Sequence, residues 1–200
     1  MTDPDALLVK RAARGDTAAF GELMERHELR TYNLALRICG DAEDARDATQ
    51  DAFLTAFRKL GSFRGDSAFT TWLHRVTVNA SLDLLRKKRR TPVVALADTD
   101  DDRPSAVEPA LADHADDVTA AIDAAAALAL VPEEFRAAIV LRDVFDLTYE
   151  EVATILEVPI GTVRSRLHRG RLTLARAIRD PFGEPSDEQG SSNPQPPRER

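Results

Sequence analysis

Apolar side chains recur along this chain at spacings of three and four residues, the period of helices packed on one side. From Phe20 the stripe runs through Leu23, Met24, Leu34, Ala35 and Ile38, with His27 and Thr31 filling the same face. The Gly40-Asp41 pair breaks it. Asp41 is placed to cap a second helix whose first turn holds Glu43 and Asp44, where the helix dipole favours anions. That helix is expected to bury Ala45, Thr49, Phe53, Ala56, Phe57 and Leu60 and to stop at Gly61. The loop SFRGDSAF, 62–69, leads into a third long helix over roughly 69–90, and Pro92 disfavours its continuation.

Residues 91–118 carry scattered Asp and Pro with few large apolar groups, the composition of a linker. Helical spacing then resumes in an Ala-rich segment near 119–130 and in another from Pro132 to about Phe145. Thr148 and Glu151 have the spacing of a capping box, opening a helix YEEVATIL that buries Val152, Ala153, and Ile155 or Leu156. After a break at 157–159, Pro159 suits the first turn of the next helix. Two helices joined by so short a turn form a helix-turn-helix. On the second of them Val163, Leu167, Gly170, Leu174 and Ile178 share one face. Ser165, His168 and Arg169 lie opposite, flanked by Arg164 and Arg166. The pattern predicts an all-α protein of two small helical domains, 1–90 and 119–179. A flexible acidic linker, 91–118, joins them, and a polar, Pro-rich tail, 180–200, is expected to be disordered.

The formal net charge is −7, but its distribution changes the picture. Residues 1–90 hold 16 basic and 13 acidic side chains, 91–118 hold one against eight, and 119–179 balance at eight each. Acidity therefore sits largely in the expected linker and tail, while both domains keep cationic faces. Ile160–Arg179 carries six arginines, one histidine and no carboxylate. A solvated face normally mixes signs. An unmixed one suits the major groove, where an α-helix brings arginines to guanine edges and phosphates; the alternative is an ordinary basic face on a helical hairpin. His168 has no partner at metal-ligand spacing. The single cysteine, Cys39, excludes an intramolecular disulfide and a Cys-based zinc finger, and its place beside Ile38 fits a packed thiol better than a redox sensor. There is no run of about 20 apolar residues and no signal-peptide pattern at the start, so no membrane insertion is expected and the cytoplasm is the expected compartment.

The third helix and its loop combine Phe63, Phe69 and Trp72 with Asn79 and five consecutive cations, Arg86, Lys87, Lys88, Arg89 and Arg90. Aromatics beside cations suit single-stranded nucleic acid, whose bases stack or flip while the backbone tracks positive charge. Phe69, Trp72, Leu73 and Val76 also have the spacing of plain core, and for Phe69 and Leu73 core is the better account. Asn79 offers a donor and an acceptor to a base edge, or is an amide satisfied in the core.

Residues 42–90, AEDARDATQDAFLTAFRKLGSFRGDSAFTTWLHRVTVNASLDLLRKKRR, resemble region 2 of bacterial extracytoplasmic-function (ECF) sigma factors of the sigma-70 family. Residues 130–178, LVPEEFRAAIVLRDVFDLTYEEVATILEVPIGTVRSRLHRGRLTLARAI, resemble their region 4. The likeness covers about 15–90 and 119–179 and is similar to the SigM-like branch. It implies an initiation subunit of RNA polymerase with no catalytic site of its own, needing no cofactor. It also implies that Asp47, Gln50, Asp51 and Leu54 dock on the β′ clamp helices, although an acidic, solvated face is the alternative. By the same likeness Phe63, Arg64, Gly65, Asp66, Ser67, Val76 and Asn79 would read the promoter −10 element, with Arg86–Arg90 on nearby phosphates. Thr162, Arg164, Ser165, Arg166, His168 and Arg169 would read the −35 element, and region 4 would touch the β flap. An anti-sigma factor, common in the family, is a further expected partner. Asp98, Asp100, Asp101 and Asp102 would mimic RNA charge in the polymerase cleft or serve as a solubilising spacer.

Two residues depart from the family pattern. Glu157 stands where the turn usually has Gly, and positive φ there costs a non-Gly residue about 1 kcal/mol. His74 replaces a commoner aromatic. A free-standing helix-turn-helix regulator would explain residues 132–179 but leave Asn79 and the basic run unused. A metal-dependent enzyme is not supported, because the carboxylates of 41–51 lie along one helix with no histidine close in sequence.

Overall fold

The computed structural model describes residues 4–90 and 124–179. The expected linker and tail, with Asp98, Asp100, Asp101 and Asp102, lie outside the described residues. Among those described, every regular element is a helix.

The first domain is built from α1 (Ala6–Ala12), α2 (Thr17–Cys39), α3 (Ala42–Lys59) and α4 (Phe69–Arg90). The breaks between them have local chemical causes. The Asp16 side chain accepts from Ala19 N at 3.0 Å to start α2, and Gly40 takes φ 79° to end it. Asp41 then accepts from Asp44 N at 2.8 Å, so α2 and α3 meet in a tight corner. Ala45, Ala48, Ala52 and Ala56 are fully buried and let α3 approach its neighbours closely, while Phe20, Leu23, Phe53, Leu60, Phe69, Trp72 and Leu73 fill the core.

The second domain comprises α5 (124–129), α6 (Glu133–Ile139) continued by a wider π turn (Val140–Val144), α7 (Tyr149–Leu156) and α8 (Ile160–Arg179). A Cβ on Gly170 would come within 2.8 Å of Ile139 Cδ1 and 3.1 Å of Phe135 Cβ, so glycine sets the approach of α8 to α6.

Several expected burials differ. Met24 and Phe57 are 36% and 49% exposed, and Ile178 is 61% exposed. In α7 Val152 and Ile155 are buried, with Ala153 and Leu156 only half-buried. Pro159 precedes the first turn of α8 rather than lying in it, and its carbonyl accepts from Thr162 N at 2.8 Å. The short helix α1, absent from the sequence pattern, closes one side of the first core with Leu8, Val9 and Ala12.

The two domains share a seam. Leu34, Ile38 and Val78 of the first pack in one buried cluster with Leu128, Val131 and Ile139 of the second. Arg136, 7% exposed, sits within it. Its guanidinium donates to the Ile38 carbonyl at 2.7 Å, to Val131 O at 3.0 Å, and to Ala129 O. Burial lowers its pKa. His74 is 2% exposed at the same seam, facing Phe145 edge-on at 5.5 Å, and neither ring nitrogen has a partner.

Candidate nucleic-acid interface

The helix-turn-helix is set by its own sequence. Thr148 Oγ1 accepts from Glu151 N at 3.2 Å, and the Glu151 carboxylate accepts from Thr148 N at 2.8 Å, closing the capping box. Glu157 ends α7 at φ 54°, ψ 42°, the left-handed geometry that a glycine would adopt without strain. Its side chain accepts from Arg75 of α4 at 3.2 Å, a tie that glycine could not make.

Burial of Val163, Leu167 and Gly170 turns the opposite face of α8 outward. Arg164, Ser165, His168 and Arg169 are exposed there. Thr162 is half-buried, and its carbonyl accepts from Ser165 Oγ at 2.9 Å. The arginines divide into two sets. Arg166 reaches back to Glu134 at 3.1 Å, and Arg171 forms a two-pronged pair with Asp143 at 3.0 and 2.6 Å, which raises its pKa. Arg164 and Arg169 are exposed on the outward face.

The loop before α4 rests on an aromatic platform. Phe63 is half-buried against Trp72 at 5.3 Å and Phe69 at 6.2 Å. Arg64, Gly65 and Asp66 are exposed, with Gly65 at φ +77°, and Ser67 is half-buried. Val76 is 8% exposed and belongs to the core, so its side chain stands behind this surface rather than on it. Asn79 is exposed, which removes the alternative of a core amide. In the basic run Arg86 pairs with Asp83 at 2.8 Å, Lys88 with the largely buried Asp44, and Arg89 with Glu133 of the second domain at 2.6 Å. The bond to Asp44 raises the Lys88 pKa. Lys87 and Arg90 are exposed.

Asp47, Gln50, Asp51 and Leu54 all lie on the exposed side of α3. Beside them an apolar groove of about 810 Å³ runs between α2 and α3, lined by Phe20, Met24, Leu29, Phe53, Leu54 and Phe57. Sequence periodicity missed this groove by assigning Met24 and Phe57 to the core. Leu54 beside Phe57 on an otherwise charged face was the available signal. Cys39 is buried, and burial pushes its thiol up to about 11, so it stays protonated and unreactive. No described helix is long and apolar enough to cross a membrane.

Family models for Sigma-70 region 2 and Sigma-70 region 4 match residues 23–91 and 122–174. The chain is 41% identical over 183 residues to ECF RNA polymerase sigma factor SigE of Mycolicibacterium smegmatis, covering 90% of this chain and 69% of that one. It is 41% identical over 174 residues to SigM of Mycobacterium tuberculosis, covering 87% and 84%. Sigma-H of Pseudomonas aeruginosa is 35% identical over 184 residues, covering 88% and 94%. SigE and SigM match at the same identity. Among solved structures, CnrH in complex with the cytosolic domain of CnrY aligns with TM-score 0.62 at 26% identity, covering 90% of this chain and 99% of that one. On these matches the chain belongs to the ECF sigma factors of the sigma-70 family.

Proposed function

We propose that this chain binds core RNA polymerase, directs it to specific promoters and begins strand opening there, acting as an initiation subunit without a catalytic site of its own. The acidic and apolar side of α3, with Asp47, Gln50, Asp51, Leu54 and the adjoining groove, docks on the β′ clamp helices. The loop 63–67 and α4 take the −10 element. Asn79 contacts an opened base, Val76 backs the surface from the core, and Arg86–Arg90 hold the strand backbone. The outward face of α8 takes the −35 duplex through Arg164, Ser165, His168 and Arg169, with Thr162 and Arg166 at its edge, while the second domain meets the β flap. Residues 1–90 and 119–179 are then the two working domains, with 91–118 as the acidic connector and 180–200 as a tail. The work is done in the cytoplasm with the polymerase, and an anti-sigma factor is the expected antagonist.

The observation that carries this is the coexistence in one chain of two exposed cationic faces, one on α8 with a shape suited to duplex and one on α4 beside aromatics that would suit a single strand. Either alone grips weakly, because a few phosphate contacts in an acidic chain give a small electrostatic attraction. A larger machine that holds both makes them cooperate. Run-off transcription with purified core polymerase tests it. Promoter-specific product should require this chain and disappear in Asn79→Ala plus Arg169→Ala. Tight operator binding by the isolated chain at physiological salt, with no effect of polymerase, would favour a free-standing helix-turn-helix regulator instead.

A further inference from the structure

His27 shares the apolar face of α2, yet a charge holds it there. Its Nε2 lies 2.7 Å from one oxygen of the Asp5 carboxylate, and Arg26 donates to the other oxygen at 3.2 Å. Asp5 is only 4% exposed, and a buried carboxylate is tolerated where its charge is met in this way. A carboxylate accepts and does not donate, so the imidazole donates through Nε2, and the bond fixes both its tautomer and its ring pose. Asp5 precedes α1 as Asp16 and Asp41 precede α2 and α3, but unlike them it makes no capping bond to its own helix. Its carboxylate is turned instead onto α2, 22 residues further along the chain.

From His27 the contact passes through rings. The imidazole meets Phe69 edge-on, with centroids 5.4 Å apart. Phe69 is 1% exposed and lies 5.8 Å from Trp72 and 6.2 Å from Phe63, and Phe63 lies 5.3 Å from Trp72. These are the spacings of attractive ring pairs. Phe63 opens the loop 63–67, in which Arg64, Gly65 and Asp66 are exposed. The pose of that loop depends on the platform beneath it, and His27 braces the platform from behind.

We propose that Asp5 and His27 are positioning residues for the −10 element: the carboxylate holds the imidazole, the imidazole holds Phe69, and Phe69 with Trp72 seats Phe63 and the loop that follows. The proposal rests on the assignment of loop 63–67 to the opened strand. A binding loop is effective only when the groups behind it are themselves locked, and a displacement of about 1 Å can cost about a hundredfold in rate. Without its acceptor the His27 ring turns about its side-chain torsions, Phe69 loses an edge contact, and the loop samples more than one pose.

The test uses the full chain as the parent, Asp5→Ala, Asp5→Asn, His27→Gln and Leu8→Ala. Asp5→Asn keeps an acceptor for the imidazole, and His27→Gln keeps a donor for Asp5 but removes the ring. Leu8→Ala loosens the packing of α1, where Leu8 is buried, and leaves the Asp5–His27 bond in place. Trp72 is the one tryptophan of the chain, so its emission reports the platform directly. Emission should shift to the red, and acrylamide quenching should rise, in Asp5→Ala and His27→Gln but not in Asp5→Asn. Permanganate reactivity of −10 thymines is then read below the melting temperature, with saturating chain and core polymerase, on a fragment from which the parent gives run-off product. It should fall about tenfold in Asp5→Ala and His27→Gln and stay within about twofold of the parent in Asp5→Asn and Leu8→Ala. The concentration that saturates core polymerase should be the same for every protein. Unchanged Trp72 emission or unchanged opening in Asp5→Ala and His27→Gln would overturn the proposal. So would a fall in Leu8→Ala as deep as in Asp5→Ala, which would make Asp5 a plain fastener of α1. If the parent itself opens no −10 thymines with core polymerase, the assignment of the loop fails and this proposal falls with it, a result distinct from opening by the parent that the variants leave untouched.

Discussion

The guanidinium of Arg136 donates to the carbonyl of Ile38, 98 residues earlier in the chain, at 2.7 Å. It joins the second domain to the C-terminal end of α2, where helix carbonyls lack partners within their own helix. In Arg136→Met the apolar stem is kept and the donors are lost. Each buried acceptor left without a partner costs about 1–3 kcal/mol. The domains should then melt in two separate calorimetric transitions rather than one, with the lower one several degrees below that of the parent.

His74 makes the seam sensitive to acid. Burial pushes its pKa down from 6.5 to about 4, helped by Arg30 and His27 and opposed by Glu151. The closed form keeps the ring neutral, whereas an opened form exposes it and takes up a proton below pH 6.5. Above that value the two forms bind protons equally and pH has no effect through this group. Between 6.5 and about 4 the opened form binds one more proton, so opening gains up to tenfold per pH unit as pH falls. Energy transfer between the domains, followed from pH 8 to pH 5, should drop below 6.5 in the parent. In His74→Phe it should hold flatter.

On α8 the outward arginines should differ from the tethered ones. Arg169→Ala should weaken −35 duplex binding by the polymerase complex by about 1–3 kcal/mol if it reads a base. Arg171→Ala should leave that binding nearly unchanged, because its guanidinium is held by Asp143, and should lower the melting temperature instead. Competition titrations on matched and mismatched −35 duplexes separate the two.

Asn79→Ala removes an exposed amide and should leave thermal stability within about 0.5 kcal/mol of the parent. Promoter opening, followed by permanganate reactivity of −10 thymines, should fall about tenfold, the effect of roughly 1.4 kcal/mol of lost contact. Asn79→Asp, which keeps the shape and loses the donor, should not rescue it.

Leu54→Glu places a charge at the rim of the α2–α3 groove, where Leu54 is 44% exposed. Folding should be unaffected, while the concentration needed to saturate core polymerase in run-off transcription should rise at least tenfold.

Much of the fold is legible in the sequence wherever local chemistry decides it. The third helix runs over Phe69–Arg90 as expected, and the Gly40-Asp41 corner and the Thr148–Glu151 capping box form as their residue types require. The errors come from a wheel that yields one buried stripe per helix without saying how wide the neighbour is. Met24 and Phe57 fall within the stripe but beyond the reach of α4, and they line a groove instead. Ile178 lies past Leu174, the last α8 residue packed on the second core. The seam was invisible for another reason. Nothing local distinguishes Arg136 from a surface arginine, because its partners are carbonyls brought near only by the tertiary fold. The outward arginines and Asn79 could be picked out from the sequence, but not which cations already have carboxylate partners.

Those internal partners determine how the chain should respond to ionic strength. Five adjacent cations suggest five condensed ions set free when a strand lands, yet Arg86, Lys88 and Arg89 already hold Asp83, Asp44 and Glu133. A phosphate arriving there displaces a carboxylate rather than adding a fresh neutralisation. The slope of log affinity against log salt should therefore be nearer that of two sites than of five, at about −0.7 per site for single strands. Occupancy of the opened strand would then be buffered against changes in the salt content of the cell.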